Sequence, residues 1–393
     1  MQRRKIFRIF DRYFGIPLVL FLALFTKRKR RLPIESIRNI LIIKLAAIGD
    51  AILLVPALRK LKNSFPRAKI TFMCSDVNIS FVEKITYVDK IINCHVYDFI
   101  KNPLYFFKFI KELRKTKYEL VIDAGQWERI NSFITIFTRR NYSVGFKTKG
   151  QLKHIINDFV VEHIPQRHEV ENFMDLLMPL GIIPLTGAYP YDDIQLEFFL
   201  KPEHRAFRDK FWKQHGLADK TVICFHPGCG ENGKPREWDI DNYVILGKML
   251  SAFDNNIRIL LTGTKHECYL CDRINSELPG ITINTAGEHS LEETAALIER
   301  SKLMVCSNTG ILHVSASVGT LTIGMHGPTN PAKWGAFNKK AIVIQSDKFC
   351  SPCLYLGHDY GCKHPTCMLH ITVNEVFMAL RKALQPEFVK SVT

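Results

Sequence analysis

Acidic side chains are in short supply in this sequence of 393 residues: 38 Asp and Glu stand against 54 Lys and Arg, a formal net charge of +16. That imbalance favours anionic partners, such as phosphates and acidic membrane surfaces, over cationic ones. It is also uneven. Residues 1 to 31 carry Arg3, Arg4, Lys5, Arg8, Arg12, Lys27, Arg28, Lys29, Arg30 and Arg31 against Asp11 alone. A conventional bilayer crossing is lacking there too. The uncharged run Tyr13 to Phe25 (YFGIPLVLFLALF) is thirteen residues long, whereas a spanning helix needs about 20. A small-residue cleavage site after that run is missing, since KRKRR stands in its place, which argues against a signal peptide. The reading that remains is a monotopic helix, bent near Pro17, dipping into the cytoplasmic leaflet with basic flanks on anionic headgroups. Nuclear targeting by KRKRR is a third reading.

A disulfide framework is also absent. Eleven cysteines, an odd number, are scattered along the chain, which fits a reducing compartment. Four of them, Cys350, Cys353, Cys362 and Cys367, fall within eighteen residues. Their spacing is not that of a standard zinc finger, so a structural zinc site, reduced thiols and a local disulfide all stay open.

The length predicts two domains of ordinary size. Strand-like apolar runs alternate with helical patterns in both halves, which predicts an α/β protein with doubly wound parallel sheets. In the first half, Ile40 to Ile43 reads as a buried strand, followed by a tight turn and a helix containing Ile52, Val55 and Leu58. Further strands are expected at 68–74, 90–94 and 119–123, and a helix at 106–116. Asp50 opens the first helix. It is either a cap or a group placed for chemistry, because ligands in open α/β sheets sit outside the carboxyl ends of the strands. Asp123, ending a later strand, has the same two readings with a turn as the plain one. Residues 139 to 154, rich in Arg and Lys, read as a solvated loop or as a site for an anionic acceptor. The acceptor-side candidates are therefore Lys44, Asp123, Arg139, Arg140 and Lys147. An amphipathic helix is expected at 168–181, and the inter-domain connection at 184–202.

The second half offers phosphate chemistry. Gly228, Gly230 and Gly233 satisfy G-x-G-x-x-G after the strand 221–225, but Lys234-Pro235-Arg236 prolongs the loop before any helix begins. The next strand, Ile257 to Leu261, ends without an acidic residue to hold a ribose. A nicotinamide site is disfavoured on both counts. A glycine-lined loop whose amides approach phosphates, aided by Lys234 or Arg236, fits better. Asp239 and Asp241 read as helix-start acids rather than metal ligands. After the strand 303–306, Asn308 is expected to cap a helix, leaving the amides of Thr309, Gly310 and Ile311 as an anion site with His313 one turn on. A strand is expected at 322–325 and a last helix at 373–384.

The set KLAAIGDAILLVPALRKLKNSFPRAKI, YELVIDAGQ, HPGCGENGKPREW and SNTGILHVSASVGT with HGPTNP resembles the ADP-heptose:lipopolysaccharide heptosyltransferases of glycosyltransferase family 9, over most of residues 38 to 385. The resemblance implies a GT-B architecture of two Rossmann-like domains with a cleft between them, in which donor and acceptor meet. It implies an inverting, metal-independent transfer that needs no cofactor beyond an ADP-sugar donor. Asp50 then matches the family's catalytic aspartate, and the donor side falls on Gly228, Lys234, Arg236, Glu267, Asn308, Thr309, Gly310 and His313. One departure is Asn308, where many members carry Asp. The expected layout is 1–37 a basic and apolar membrane-associated segment, 38–200 an acceptor domain, 201–370 a nucleotide-sugar domain, and 371–393 a helix and tail of the kind that in GT-B proteins often packs back on the first domain. Expected partners are a nucleotide sugar, a lipid-linked saccharide and anionic inner-membrane lipids, at the cytoplasmic face of a bacterial inner membrane, with no nucleic acid. Alternatives are a family member using another nucleotide sugar for a different surface glycan, and a non-catalytic membrane-bound nucleotide-sugar binder.

Overall fold

The computed structural model describes residues 13, 15–26, 29, 33–183, 189, 194–231, 233–356, 362 and 366–385. The chain divides into two compact units at Ile194 and Gln195. Much of the expected connection, residues 184–188 and 190–193, lies outside the described set, as do 1–12 and most of the KRKRR cluster.

The first unit is a parallel six-stranded sheet of β1 (Asn39–Ile43), β2 (Lys69–Cys74), β3 (Lys90–Asn93), β4 (Tyr118–Asp123), β5 (Arg140–Lys147) and β6 (Phe159–Glu162), in the order β3-β2-β1-β4-β5-β6. The second has β7 (Thr221–His226), β8 (Ile257–Leu261), β9 (Thr282–Asn284), β10 (Leu303–Ser307), β11 (Leu321–His326) and β12 (Ala341–Gln345), in the order β12-β11-β10-β7-β8-β9. Both are doubly wound, with the strand order reversing between β1 and β4 in one unit and between β7 and β10 in the other. These switch points are where such sheets open a crevice at their carboxyl ends. The central strands are buried on both faces, so they read as unbroken apolar runs: Ile40, Leu41 and Ile43 have no exposed surface, nor do Leu303, Met304, Val305 and Cys306.

Three expectations change. Residues 139 to 154 are not a loop: β5 occupies Arg140–Lys147, with Ser143, Val144 and Phe146 fully buried, and its polar first residues disguise the strand. The last helix, Val373–Leu384, packs on the helix Ile240–Phe253 and beside β11 and β12, placing Val376, Leu380 and Ala383 in the core of its own unit. The expected helix at 106–116 runs from Pro103 to Leu113, begun by Asn102, whose side chain accepts from the Leu104 amide at 3.0 Å.

The amino-terminal apolar run forms a nine-residue helix, Gly15–Ala23, about 14 Å long. Among the described residues no helix is long and apolar enough to cross a membrane. Gly15 and Val19 face the first unit, where the helix packs on Arg129–Phe137 and the turn Lys153–Ile156.

A charge pair without solvent exposure locks the first unit together. Lys153 Nζ lies 2.8 Å from Asp123 Oδ2, both side chains fully buried, and donates to Gly125 O; Asn131 and the Gly125 amide each donate to Asp123 Oδ1 at 3.0 Å. Removing one member leaves the other charged and unpaired inside the protein. Asp123→Ala is expected to destabilise the chain by about 3 to 5 kcal/mol, read as an earlier urea midpoint, whereas Glu162→Ala at the exposed pair with Lys147 should leave the midpoint nearly unchanged.

Candidate active site

In the first unit the chain leaves β1 and enters the helix Ile48–Ser64 directly, at the switch point beside β4. Ala47, not Asp50, occupies the capping position, and no side chain caps this helix. Asp50 sits in the first turn, where a carboxylate is favoured by the helix dipole. Its side chain instead engages Lys44: Oδ2 is 2.7 Å from Nζ, with Lys44 fully buried and Asp50 19 % exposed. Lys44 also donates to Gln126 Oε1 at 2.5 Å and lies over the Phe173 ring. Gln126 in turn donates to Glu169 Oε1 at 2.9 Å, and His163 Nε2 reaches the same oxygen at 2.9 Å. The result is a buried polar chain that runs Asp50, Lys44, Gln126, Glu169, His163.

Burial pushes the Asp50 carboxyl above the usual carboxylate range, although Lys44 draws it down. Burial also works against the Lys44 charge, yet Asp50 and Glu128 keep the lysine above its ordinary value. A carboxylate raised in this way, partly open to solvent and held by one cation, is suited to take a proton.

The other acceptor-side candidates are dispersed. Asp123 is committed to Lys153 inside the unit. Arg140 begins β5 and donates to Ile156 O at 3.4 Å, whereas Lys147 ends that strand and pairs with Glu162. Their ends of an eight-residue strand stand roughly 23 Å apart. Arg139 is exposed beside Arg140. Only Lys44 among the five touches Asp50.

In the second unit the loops after β7, β8 and β10 carry the donor-side candidates, again at the switch point. Glu267 is 6 % exposed and organises the glycine loop: Oε1 accepts from the Gly230 amide at 2.8 Å, and Oε2 from the amide and hydroxyl of Thr264 at 2.9 and 2.7 Å. Against the upward push of burial, His226 and these donors hold its carboxyl below the usual range. Gly228 has no side chain because a Cβ there would meet Glu267 Oε1 at 2.2 Å, and Gly230 adopts a φ of +65°. As expected, no helix starts within the glycines; a short turn, Lys234–Arg236, intervenes before Ile240–Phe253, which Asp239 caps through the Asp241 amide at 2.9 Å. Lys234 is exposed. Trp238 anchors the loop from behind, its indole N–H donating to Ile371 O at 2.8 Å.

The helix after β10 runs Gly310–Ser317 and is capped differently from the expectation. Thr309 holds the capping position without a side-chain bond. Asn308 turns away, its Nδ2 donating to Trp334 O at 2.6 Å, while its carbonyl accepts from Arg236 Nη1 at 2.9 Å. Arg236 Nε and Thr309 Oγ1 are among the polar atoms buried here without a hydrogen-bond partner within the described residues. The amides of Gly310 and Ile311 have no intrahelical acceptor. Four donors around Asn308 thus await oxygen atoms. His313, one turn on, is 5 % exposed. Lys333 is a buried cation over the rings of Trp334 and Tyr355, at 5.3 and 5.4 Å.

Sequence reasoning missed Gln126, Glu128, His163, Glu169 and Lys333. Gln126 closes the quoted YELVIDAGQ motif and was within reach; the others come from distant segments with no local signal. The four clustered cysteines line one cavity with Lys348 and Thr366. Among the described residues no group of three or more His, Cys, Asp or Glu side chains could hold a metal ion, and all eleven cysteines are free thiols.

The profile of glycosyltransferase family 9 (heptosyltransferase) matches residues 106–364. The chain belongs to this family. As a family 9 member it is a glycosyltransferase enzyme. It is 24 % identical over 314 residues to lipooligosaccharide heptosyltransferase 2 of Haemophilus influenzae, covering 78 % of this chain and 88 % of that one. Its fold is similar to that of a family 9 glycosyl transferase from Veillonella parvula, with a TM-score of 0.71, 18 % identity, and 88 % and 97 % of the two chains covered. It is also similar to that of Escherichia coli ADP-heptose lipopolysaccharide heptosyltransferase II, with a TM-score of 0.67, 19 % identity, and 90 % and 100 % covered.

The pair Lys44 and Asp50 gives a pH signature. If Asp50 serves as the base it must be ionised, so activity falls as pH drops through its raised pKa, and the acid limb of kcat/KM is expected above the ordinary Asp value of about 3.9. Lys44→Met removes the cation that lowers that pKa, and the limb should move to still higher pH in rate profiles of the purified enzyme.

Proposed function

We propose that this glycosyltransferase transfers a heptose from ADP-heptose to a lipopolysaccharide core or related lipid-linked saccharide, with inversion and without a metal requirement. Asp50 carries the reading: a carboxylate of raised pKa at the carboxyl end of β1, oriented by a buried lysine. It takes the proton of an acceptor hydroxyl as that oxygen bonds to the anomeric carbon. The bond from the anomeric carbon to the diphosphate breaks, and ADP departs with the electron pair. In the second unit, Arg236, Thr309 Oγ1 and the amides of Gly310 and Ile311 receive the diphosphate oxygens, with Glu267 and Gly228 shaping the loop beside them. Each charge-assisted contact of this kind contributes about 1.5 to 3 kcal/mol. The names of the relatives support the donor and the class of acceptor.

A second reading within the family, another nucleotide sugar for a different surface glycan, is favoured by Asn308. An amide committed to Trp334 O stands where a carboxylate is common in the family.

The test is turnover of a panel of nucleotide sugars by the wild type and two variants. Asp50→Asn should lower kcat about 10²- to 10⁴-fold while ADP-heptose still raises the melting temperature. Arg236→Gln should weaken that thermal stabilisation about tenfold or more in ligand concentration. Equal turnover by wild type and Asp50→Asn overturns the assignment of the base, and stabilisation by a different nucleotide sugar alone replaces the donor.

The basic tail gives the enzyme its place, a peripheral or monotopic position at the cytoplasmic face of the inner membrane. Deleting residues 1–31 is expected to move most of the protein from the membrane pellet to the supernatant after a salt wash. An unchanged pellet fraction would place the main attachment elsewhere.

A further inference from the structure

The helix Pro103–Leu113 presents an apolar and basic face that its own unit leaves uncovered. Phe106, Ile110 and Leu113 turn inward, with Ile110 and Leu113 buried and the Phe106 ring 6.0 Å from that of Phe137. On the other side Leu104 and Phe107 are 66 % and 67 % exposed, and Lys108 and Lys111 follow at helical spacing, also exposed. Removing Leu104 and Phe107 from water is favourable, and their exposure side by side marks a surface for a partner. The stretch 101 to 117 adds Lys101, Arg114, Lys115 and Lys117 against Glu112 alone. Apolar side chains beside unbalanced positive charge fit an anionic lipid surface.

The position of the helix supports the same partner. It packs with Arg129–Phe137 over one core, which includes Leu41, Ile43, Val121 and Ile134, so both helices cover one face of the first sheet. The amino-terminal helix Gly15–Ala23 packs on Arg129–Phe137 in turn; a Cβ on Gly15 would sit 3.0 Å from Arg129 Cδ. Its own outward residues are again large and apolar: Leu18, Leu20 and Phe21 are 44 to 56 % exposed, and Leu24 and Phe25 just beyond it 80 and 73 %. Exposed apolar residues from two segments far apart in sequence therefore occur on helices that both contact Arg129–Phe137.

We propose that Leu104 and Phe107 form a second bilayer contact, entering the headgroup region of an anionic membrane while Lys108 and Lys111 meet lipid phosphates. This extends the attachment assigned to the tail into the folded unit. It leaves the transfer reaction untouched, so either can fail without the other.

The experiment compares full-length wild type with Leu104→Ser/Phe107→Ser and Lys108→Gln/Lys111→Gln, by co-sedimentation with phosphatidylcholine vesicles with and without phosphatidylglycerol. Wild type should favour the anionic vesicles. The serine variant keeps the charge and should partition roughly tenfold less or weaker still, whereas the glutamine variant should lose affinity for anionic vesicles only and respond less to salt. Sugar transfer to a detergent-dispersed acceptor should stay at the wild-type level in both. Ile245→Ser, at an exposed apolar residue of the second unit, is the control and should not alter partitioning. Wild-type partitioning by the serine variant overturns the proposal. So does a wild-type dimer in sedimentation velocity that the serine variant abolishes, which would assign the face to a second copy of the chain.

Discussion

A lysine with no solvent exposure must be neutralised where it stands, and in the first unit that requirement sets the direction of Asp50. Lys44 follows β1 in the middle of a core, between the Phe173 ring and the Gln126 amide. Its charge survives there because a carboxylate lies within 2.7 Å. The same contact that makes the lysine tolerable keeps the aspartate from turning back to cap its helix. The remaining polar chain, through Gln126 to Glu169 and His163, satisfies the other partners inside the protein and so fixes the lysine itself. The position of Asp50 is thereby set by buried groups rather than by surface contacts.

The second unit solves the opposite problem. A diphosphate is a concentrated anion, and the groups around Asn308 are donors left open rather than charges already paired. Arg236 donates through one nitrogen to the Asn308 carbonyl, which orients the guanidinium, while its Nε is buried without a hydrogen-bond partner among the described residues. Glu267, although acidic, does not oppose an incoming anion strongly, because the Gly230 and Thr264 donors already occupy its oxygens. Its work is to hold the loop open in the shape that brings backbone amides forward.

Much of this was legible in the sequence, and the gaps have physical causes. β1, β2, β4, β7, β8, β10 and β11 were readable because strands buried on both faces admit little but apolar residues. β3, also at an edge, was still expected at 90–94 from its run Lys90-Ile91-Ile92, but β6, β9 and β12, edge strands of three to five residues, were not, because at an edge that pressure is relaxed. β5 opens with Arg140, Asn141 and Tyr142, and its apolar residues come late. Asp50 and the loops bearing Arg236 and Asn308 stood out because each directly follows a readable strand. Lys44 looked like an interruption of β1; its importance depends on Gln126 and Glu169, and no local spacing links those three. The cap at Asn308 failed for a similar reason, since the Trp334 carbonyl that claims its side chain lies 26 positions away.

The bond from the Trp238 indole to the Ile371 carbonyl spans 133 positions of sequence. It ties the stretch just beyond Arg236 to the segment that leads into the final helix. The shape of the Arg236 loop is therefore partly a property of the chain's far end. A protein shortened ahead of Ile371 would keep Arg236 and Asn308 yet lose the strut behind the loop that carries the guanidinium.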